Sequence, residues 1–263
     1  LLPDGLSETS TSGVKSLSKR AAIVLAAGQG KRMKSDLPKV LHTICGRSII
    51  KVLLDTLTFL DIDRLVVVIG HKGEMVQQEL ADYPAKFAWQ KEQLGTAHAV
   101  KMAADVMADF DGTTLVAAGD VPFLSRGSIE RLFEVHESTG AAATCLSAIF
   151  GDPKGYGRIV RDGDSDILKA IVEHKDADEE TLSIAEINTG TFCFDNRLLF
   201  EAIEQVGSDN AQQEFYLTDA IKILHDKDLR TSVVIAADPD EVRGINSAEQ
   251  LKFLEKKFAD RVK

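Results

Sequence analysis

Residues 21–27, AAIVLAA, are apolar without alternation and run straight into Gly28-Gln29-Gly30. An unbroken apolar run of this length closed by glycine is the pattern of a strand buried on both faces, which occurs where helices cover a parallel sheet. The pattern recurs in RLVVVIG (64–70), KFAWQ (86–90) and TTLVAAGD (113–120), with amphipathic stretches at 48–60, 74–81 and 95–108 between them. Strand and helix signals in that order predict an α/β fold, a doubly wound and mostly parallel sheet whose cleft lies at the carboxyl ends of the strands.

The second half changes character. After a strand at 141–150, GYGRIVRDGDSDILKAIVEH (155–174) reads as an inserted antiparallel hairpin turning at Asp162-Gly163-Asp164. A strand at 187–195, helices at 196–206 and 215–227, a strand at 231–237 and a C-terminal helix from 247 follow. The expected division is a disordered tail over 1–19, one domain over 20–246 and the C-terminal helix over 247–263. A chain of 263 residues with 44% hydrophobic content is long enough for one large domain of this kind.

Cys45, Cys145 and Cys193 lie far apart, which excludes a disulfide framework or a paired-cysteine zinc site and points to a reducing, cytoplasmic setting. No apolar run reaches the length of a membrane span. The net charge of −10 disfavours nucleic acid as a partner. Within this acidic chain, Lys31, Arg32, Lys34 and Lys39 gather against a single Asp36 just after the glycine turn.

That turn fits neither common phosphate-binding pattern. A Rossmann fingerprint needs glycine where Met33 stands, and a P-loop needs glycine at Leu25 and Lys-Ser/Thr where Lys31 and Arg32 stand. Gly28 and Gly30 can still present backbone N–H groups to an anion, with the flanking cations neutralising phosphate charge, as in a triphosphate cradle. A tight turn flanked by solvated lysines fits equally well. Asp120, just past a buried strand, is placed to hold Mg²⁺, or else to act as a turn residue or cap. His42, His71, His98, His136, His174 and His225 show no metal-binding spacing and are expected at the surface or behind a site, and Cys45 is expected as a small buried side chain.

Taken together, LAAGQGKRMKSDLPKVLH, EQLGTAHA, GDVP, GYGRI, IVEHKDA, EINTG and GIN resemble the uridyltransferase domain of the bacterial N-acetylglucosamine-1-phosphate uridyltransferases, from about Ala21 to the terminal helix. The resemblance implies the Rossmann-like sheet of the sugar nucleotidyltransferases and conversion of UTP and N-acetylglucosamine 1-phosphate to UDP-N-acetylglucosamine and pyrophosphate with Mg²⁺. It implies that the backbone of Leu25, Ala26, Ala27 and Gly28 borders the nucleotide, that Arg32 and Lys39 meet the phosphates, and that Gln90, Gly95 and Thr96 hold the uracil. Asp120 and Asn246 become the Mg²⁺ ligands, and Gly119, Gly157, Glu173 and Asn188 surround the amino sugar.

Plainer readings stay open for the later residues: Asn246 can simply precede a helix capped by Ser247, Gly157 can allow a bulge, and Glu173 can be a solvated edge charge. Another sugar 1-phosphate as substrate and a catalytically silent regulatory subunit also stay open. Ala118 stands where the family carries an aromatic residue, and Ala97 where glycine is common. Bifunctional members continue into a β-helix acetyltransferase that also forms their trimer. No hexapeptide repeat occurs before Lys263, so no acetyltransferase activity is expected of this chain, and its oligomeric state is open.

Overall fold

The structure, a computed structural model, describes residues 18–163 and 165–260. The tail expected over 1–19 falls outside them except for its last two residues, as do Asp164 of the hairpin turn and Val262. In chain order the elements are β1 (Arg20–Leu25), β2 (Thr43–Ile44), β3 (Arg47–Ser48), α1 (Ile49–Thr58), β4 (Arg64–Ile69), α2 (Gly73–Glu79) and β5 (Ala85–Trp89). Next come α3 (Thr96–Lys101), α4 (Ala104–Met107), β6 (Thr113–Ala118), α5 (Arg126–Thr139), β7 (Ala143–Ile149), β8 (Arg158–Arg161) and β9 (Leu168–Val172). The chain continues through α6 (Glu179–Leu182), β10 (Glu186–Asp195), α7 (Asn196–Ile203), α8 (Asp219–His225), β11 (Thr231–Ile235) and α9 (Ala248–Phe258).

One sheet runs in the order β11-β7-β10-β6-β1-β4-β5. The pairs β6–β1, β1–β4, β4–β5 and β7–β11 are parallel, whereas β10 is antiparallel to both β6 and β7. Strands of the two sequence halves therefore share one sheet, and the β8–β9 hairpin hangs from β10 through Ile187 opposite Arg158. The expected mostly parallel architecture is observed, as is the inserted hairpin.

The unalternating apolar runs have the physical cause that the sequence suggested. In β1, Ala21 and Ile23 face a layer containing Val100, Leu199 and Leu224, while Ala22 and Val24 face the opposite layer with Leu53, Leu57 and Phe133. A strand covered on both sides has no position to give to a polar residue. Leu25 at the end of β1 lies in register with Ala118 at the end of β6, so the glycine turn and Asp120 leave the sheet at the same edge.

Several expectations need correction. The single helix over 95–108 is split into α3 and α4, because the Ala103 N–H bonds Val100 O and tightens the turn to 3₁₀ geometry. The helix expected from 215 starts only at Asp219, since Phe215 and Leu217 spend their backbone groups on the 94–97 loop: Phe215 N–H on Leu94 O at 2.8 Å, Phe215 O accepting from Ala97 N–H at 2.9 Å, and Leu217 N–H on Thr96 Oγ1 at 2.9 Å. A short β2–β3 hairpin was not anticipated. Its two-residue loop is Cys45-Gly46, with φ of +49° and +82°, and this left-handed turn leaves Cys45 half-exposed rather than buried.

The C-terminal helix α9 packs on this hairpin. Leu254 and Phe258 join Ile44, Ile49, Val52, Phe123 and Ile245, with the Phe123 and Phe258 ring centroids 4.5 Å apart. Among the described residues, no helix is long and apolar enough to cross a membrane.

His136 is the histidine that departs from expectation. It lies in the core, 3% exposed, with Nδ1 3.0 Å from Thr144 Oγ1, because α5 turns this face onto β7. Burial disfavours the imidazolium and pushes its pKa down to about 4. The unfolded chain therefore binds this proton first as pH falls, so stability from the neutral ring is complete above about pH 6.5 and drains away toward pH 4. The shift corresponds to about 3 kcal/mol. Urea unfolding at pH 7 and pH 4.5 is expected to show a steeper loss for the wild type than for His136→Gln; equal losses would assign the pH response elsewhere.

Candidate active site

The glycine turn closes against Lys39. Gly30 has φ +63°, and a Cβ there would come within 2.6 Å of Lys39 Cβ, so only glycine lets the two segments meet this closely. A Cβ at Gly28 would meet nothing within 4 Å, which leaves the turn open to a ligand. Short 3₁₀ turns at Lys31–Met33 and Lys39–Leu41 then set Arg32 and Lys39 over the carboxyl edge of the sheet.

Four of the expected residues converge there. The Lys39 ammonium donates to Asp120 Oδ2 and, at 3.0 Å, to Asn246 Oδ1, which also accepts from an Arg32 Nη at 2.9 Å. Asn246 is brought in by backbone: Ile245 N–H donates to Asp120 O at 2.9 Å, and a Cβ on Gly244 would sit 3.1 Å from Asp120 Oδ2. Ser247 does cap α9, accepting from Gln250 N–H at 3.3 Å, yet this does not divert Asn246 from the cluster. A carboxylate oxygen and an amide oxygen thus point at one cation, with no sulfur or imidazole among them. This hard-oxygen pair suits Mg²⁺, which is held by one or two protein oxygens and completed by water and phosphate.

Beside this cluster, a hollow of about 270 Å³ is lined by Leu25, Ala26, Ala27, Gly28, Lys39, Asp120, Gln90, Gly95 and Thr96. Gln90 is 3% exposed and its Nε2 donates to Gly95 O at 3.1 Å. Gly95 has φ +119°, and any Cβ there would strike Phe215 O at 2.5 Å. The residues expected at the nucleotide therefore share one cavity with Lys39 and Asp120.

None of the residues expected around the amino sugar lines that hollow. Gly119 donates its N–H to Leu25 O at 2.9 Å where β1 and β6 end. Asn188 N–H donates to Gly157 O at 2.9 Å, Asn188 Oδ1 accepts from Gly190 N–H at 2.9 Å, and a Cβ on Gly157 would lie 3.3 Å from both Glu173 carboxylate oxygens. The register shift of the hairpin falls between Val160 and Arg161 and not at Gly157. Glu173 is no solvated edge charge: burial pushes its pKa up, and Oε1 accepts from Thr218 Oγ1 at 3.2 Å. Because Thr218 follows the Leu217 that binds Thr96, the segment 215–218 joins the two groups. Thr218 carries no motif signal, and only its long-range hydrogen bond marks it.

The model for the MobA-like NTP transferase domain matches residues 22–221. The bifunctional protein GlmU of Listeria welshimeri serovar 6b is 48% identical over 248 residues, 93% of this chain and 54% of that protein. GlmU of Bacillus cereus strain G9842 is 47% identical over 239 residues, 91% of this chain and 52% of that protein. The chain thus spans about half the length of the relatives it matches. Among solved structures, a UDP-glucose pyrophosphorylase complexed with UDP-glucose superposes with a TM-score of 0.73 at 14% identity, over 93% of this chain and 100% of the other, so the two share the fold. The resemblance read from the motifs and the expected architecture are both borne out. Since the matched span runs from β1 into α8 and takes in the glycine turn, Gln90, Asp120 and Asn188, the chain belongs to the MobA-like NTP transferase domain family.

Proposed function

We propose that the chain is a nucleotidyltransferase joining UTP and N-acetylglucosamine 1-phosphate into UDP-N-acetylglucosamine and pyrophosphate, with Mg²⁺, in the cytoplasm. The observation that carries this reading is the convergence of Lys39, Arg32, Asp120 and Asn246 beside a cavity that Lys39 and Asp120 line together with Gln90. The order of its motifs and its identity to the GlmU proteins support the choice of sugar.

The chemistry requires no side-chain base. A phosphate monoester is already largely ionised near neutral pH, so its oxygen can attack the α-phosphorus in line once it is positioned. Arg32 and Lys39 meet charge that builds on the transferring group and on pyrophosphate as it leaves. Asp120 and Asn246 would hold Mg²⁺, which neutralises phosphate charge and polarises the phosphorus centre when bound. Gly28 leaves the nucleotide room, while Glu173, Asn188 and the Gly157 backbone offer acceptors and donors to hydroxyls and an acetamido group.

Pyrophosphate release from UTP should be measured across N-acetylglucosamine, glucosamine, glucose and N-acetylgalactosamine 1-phosphates. N-acetylglucosamine 1-phosphate is expected to give the highest kcat/KM, with the free amine strongly disfavoured because it leaves acetamido-binding groups unpaired. Preference for another sugar would overturn the substrate, and no release with any of them would overturn the enzyme.

A further inference from the structure

Asn246 Oδ1 accepts from Lys39 Nζ at 3.0 Å and from an Arg32 Nη at 2.9 Å. An ammonium and a guanidinium can only donate, so the amide must face them with its oxygen. A carbonyl oxygen has two lone pairs, and both are taken. The Lys39 ammonium also holds Asp120 Oδ2, so one protein cation ties together the two side chains expected to ligate Mg²⁺. Two cations face a single carboxylate in this cluster, a balance that repels a bare divalent ion and attracts an anion.

Lys39 also faces the cavity. Its Cβ is pinned against Gly30, yet the residue lines the hollow beside Gly28 as well as touching the cluster. A flexible four-carbon stem lets its ammonium turn from Asp120 to an anion in the hollow while the backbone stays in place.

We propose that Lys39 and Arg32 are resident counter-ions of the metal-ligand pair, which release Asn246 to a divalent cation only when the phosphates of a nucleotide draw them away. The inference rests on the nucleotidyltransferase reading and deepens it, because it makes cation and nucleotide bind as a linked pair, each raising the affinity for the other by the same factor. A divalent ion alone must displace an ammonium from two side chains and a guanidinium from one. A triphosphate offers both side chains new charged acceptors as they leave. Removing Lys39 therefore strengthens cation binding in the nucleotide-free protein, although the same change slows the reaction.

Mn²⁺, whose paramagnetic resonance signal fades on binding, is the probe, since it shares the preference of Mg²⁺ for hard oxygen ligands. Its dissociation constant is measured without nucleotide on the wild type, Lys39→Ala, Lys39→Met, Arg32→Ala and Lys34→Ala, with the folded state of each checked by its melting curve. Both Lys39 variants are expected to bind Mn²⁺ about tenfold or more tighter than the wild type, within the usual range of coupling between sites. Arg32→Ala frees one lone pair of one oxygen and should gain less. Lys34 carries the same charge, exposed in the same turn but outside the cluster, so Lys34→Ala should stay within about twofold of the wild type. Adding Asp120→Asn to Lys39→Ala should abolish the gain.

Equal Mn²⁺ affinity in the wild type and the folded Lys39 variants, an equal gain in Lys34→Ala, or a gain that survives Asp120→Asn would each overturn the inference. Pyrophosphate release judges the proposed activity separately. The expected gain in a protein that turns over no sugar phosphate would leave the counter-ion role standing and remove the activity. Normal turnover in the wild type with no gain in Lys39→Ala or Lys39→Met would do the reverse.

Discussion

Asp120→Ala is expected to lower pyrophosphate release at saturating Mg²⁺ by about a thousandfold, because a metal clamp on phosphates supplies several kcal/mol of transition-state stabilisation. The carboxylate is the one anionic group in the Lys39–Arg32–Asn246 cluster, so removing it takes away the charge that would fix a divalent ion and leaves an amide oxygen alone. The fold has little reason to suffer. The contact that holds the 244–246 segment is from Ile245 N–H to the backbone oxygen of residue 120, which alanine retains. The Lys39 and Asp120 side chains are 17% and 14% exposed, and in the variant the Lys39 ammonium keeps its bond to Asn246 Oδ1. A melting temperature near that of the wild type together with the kinetic loss is therefore the expected pair of results. Near-normal Mg²⁺-dependent activity would return Asp120 to the role of a turn residue after β6.

Lys39→Ala is expected to reduce kcat by about a hundredfold or more while raising the KM for UTP far less, the size typical for removing one donor aimed at developing charge. Lys39 is placed for this by a contact that only glycine at position 30 allows, and its ammonium already bridges the two oxygens that would flank the phosphates. Arg32 touches only Asn246 within this cluster, so Arg32→Ala should show a larger share of its effect in KM. Steady-state kinetics of both variants with UTP varied at saturating sugar phosphate makes the comparison. An unchanged kcat in Lys39→Ala with a raised KM would show that the lysine binds ground state and transition state equally.

Burial pattern is a local property, and it was legible. The runs at 21–27, 64–70 and 113–120 became β1, β4 and β6, whose middles are apolar because helical layers cover both faces, whereas 86–90 became the edge strand β5, on which Lys86 and Trp89 are exposed. The resemblance carried by the motifs likewise implied Arg32, Lys39, Asp120 and Asn246, the four residues that the structure brings together. Cys45 was misread for a related reason: two-residue strands are too short to show a period, and the left-handed loop between them depends on α9 and α1 packing over the hairpin.

Pairing is not local. That β10 runs antiparallel between β6 and β7, so that one sheet joins the two halves, follows from which edges are left unpaired once the other strands have met. The same holds for the interior place of His136, for the arrival of Asn246 at Asp120 through Ile245, and for the bond from the Gln90 amide to Gly95 O. Residue type and spacing state what chemistry a chain can offer. Which oxygen faces which cation is settled only when buried donors and acceptors from distant segments must satisfy one another away from water.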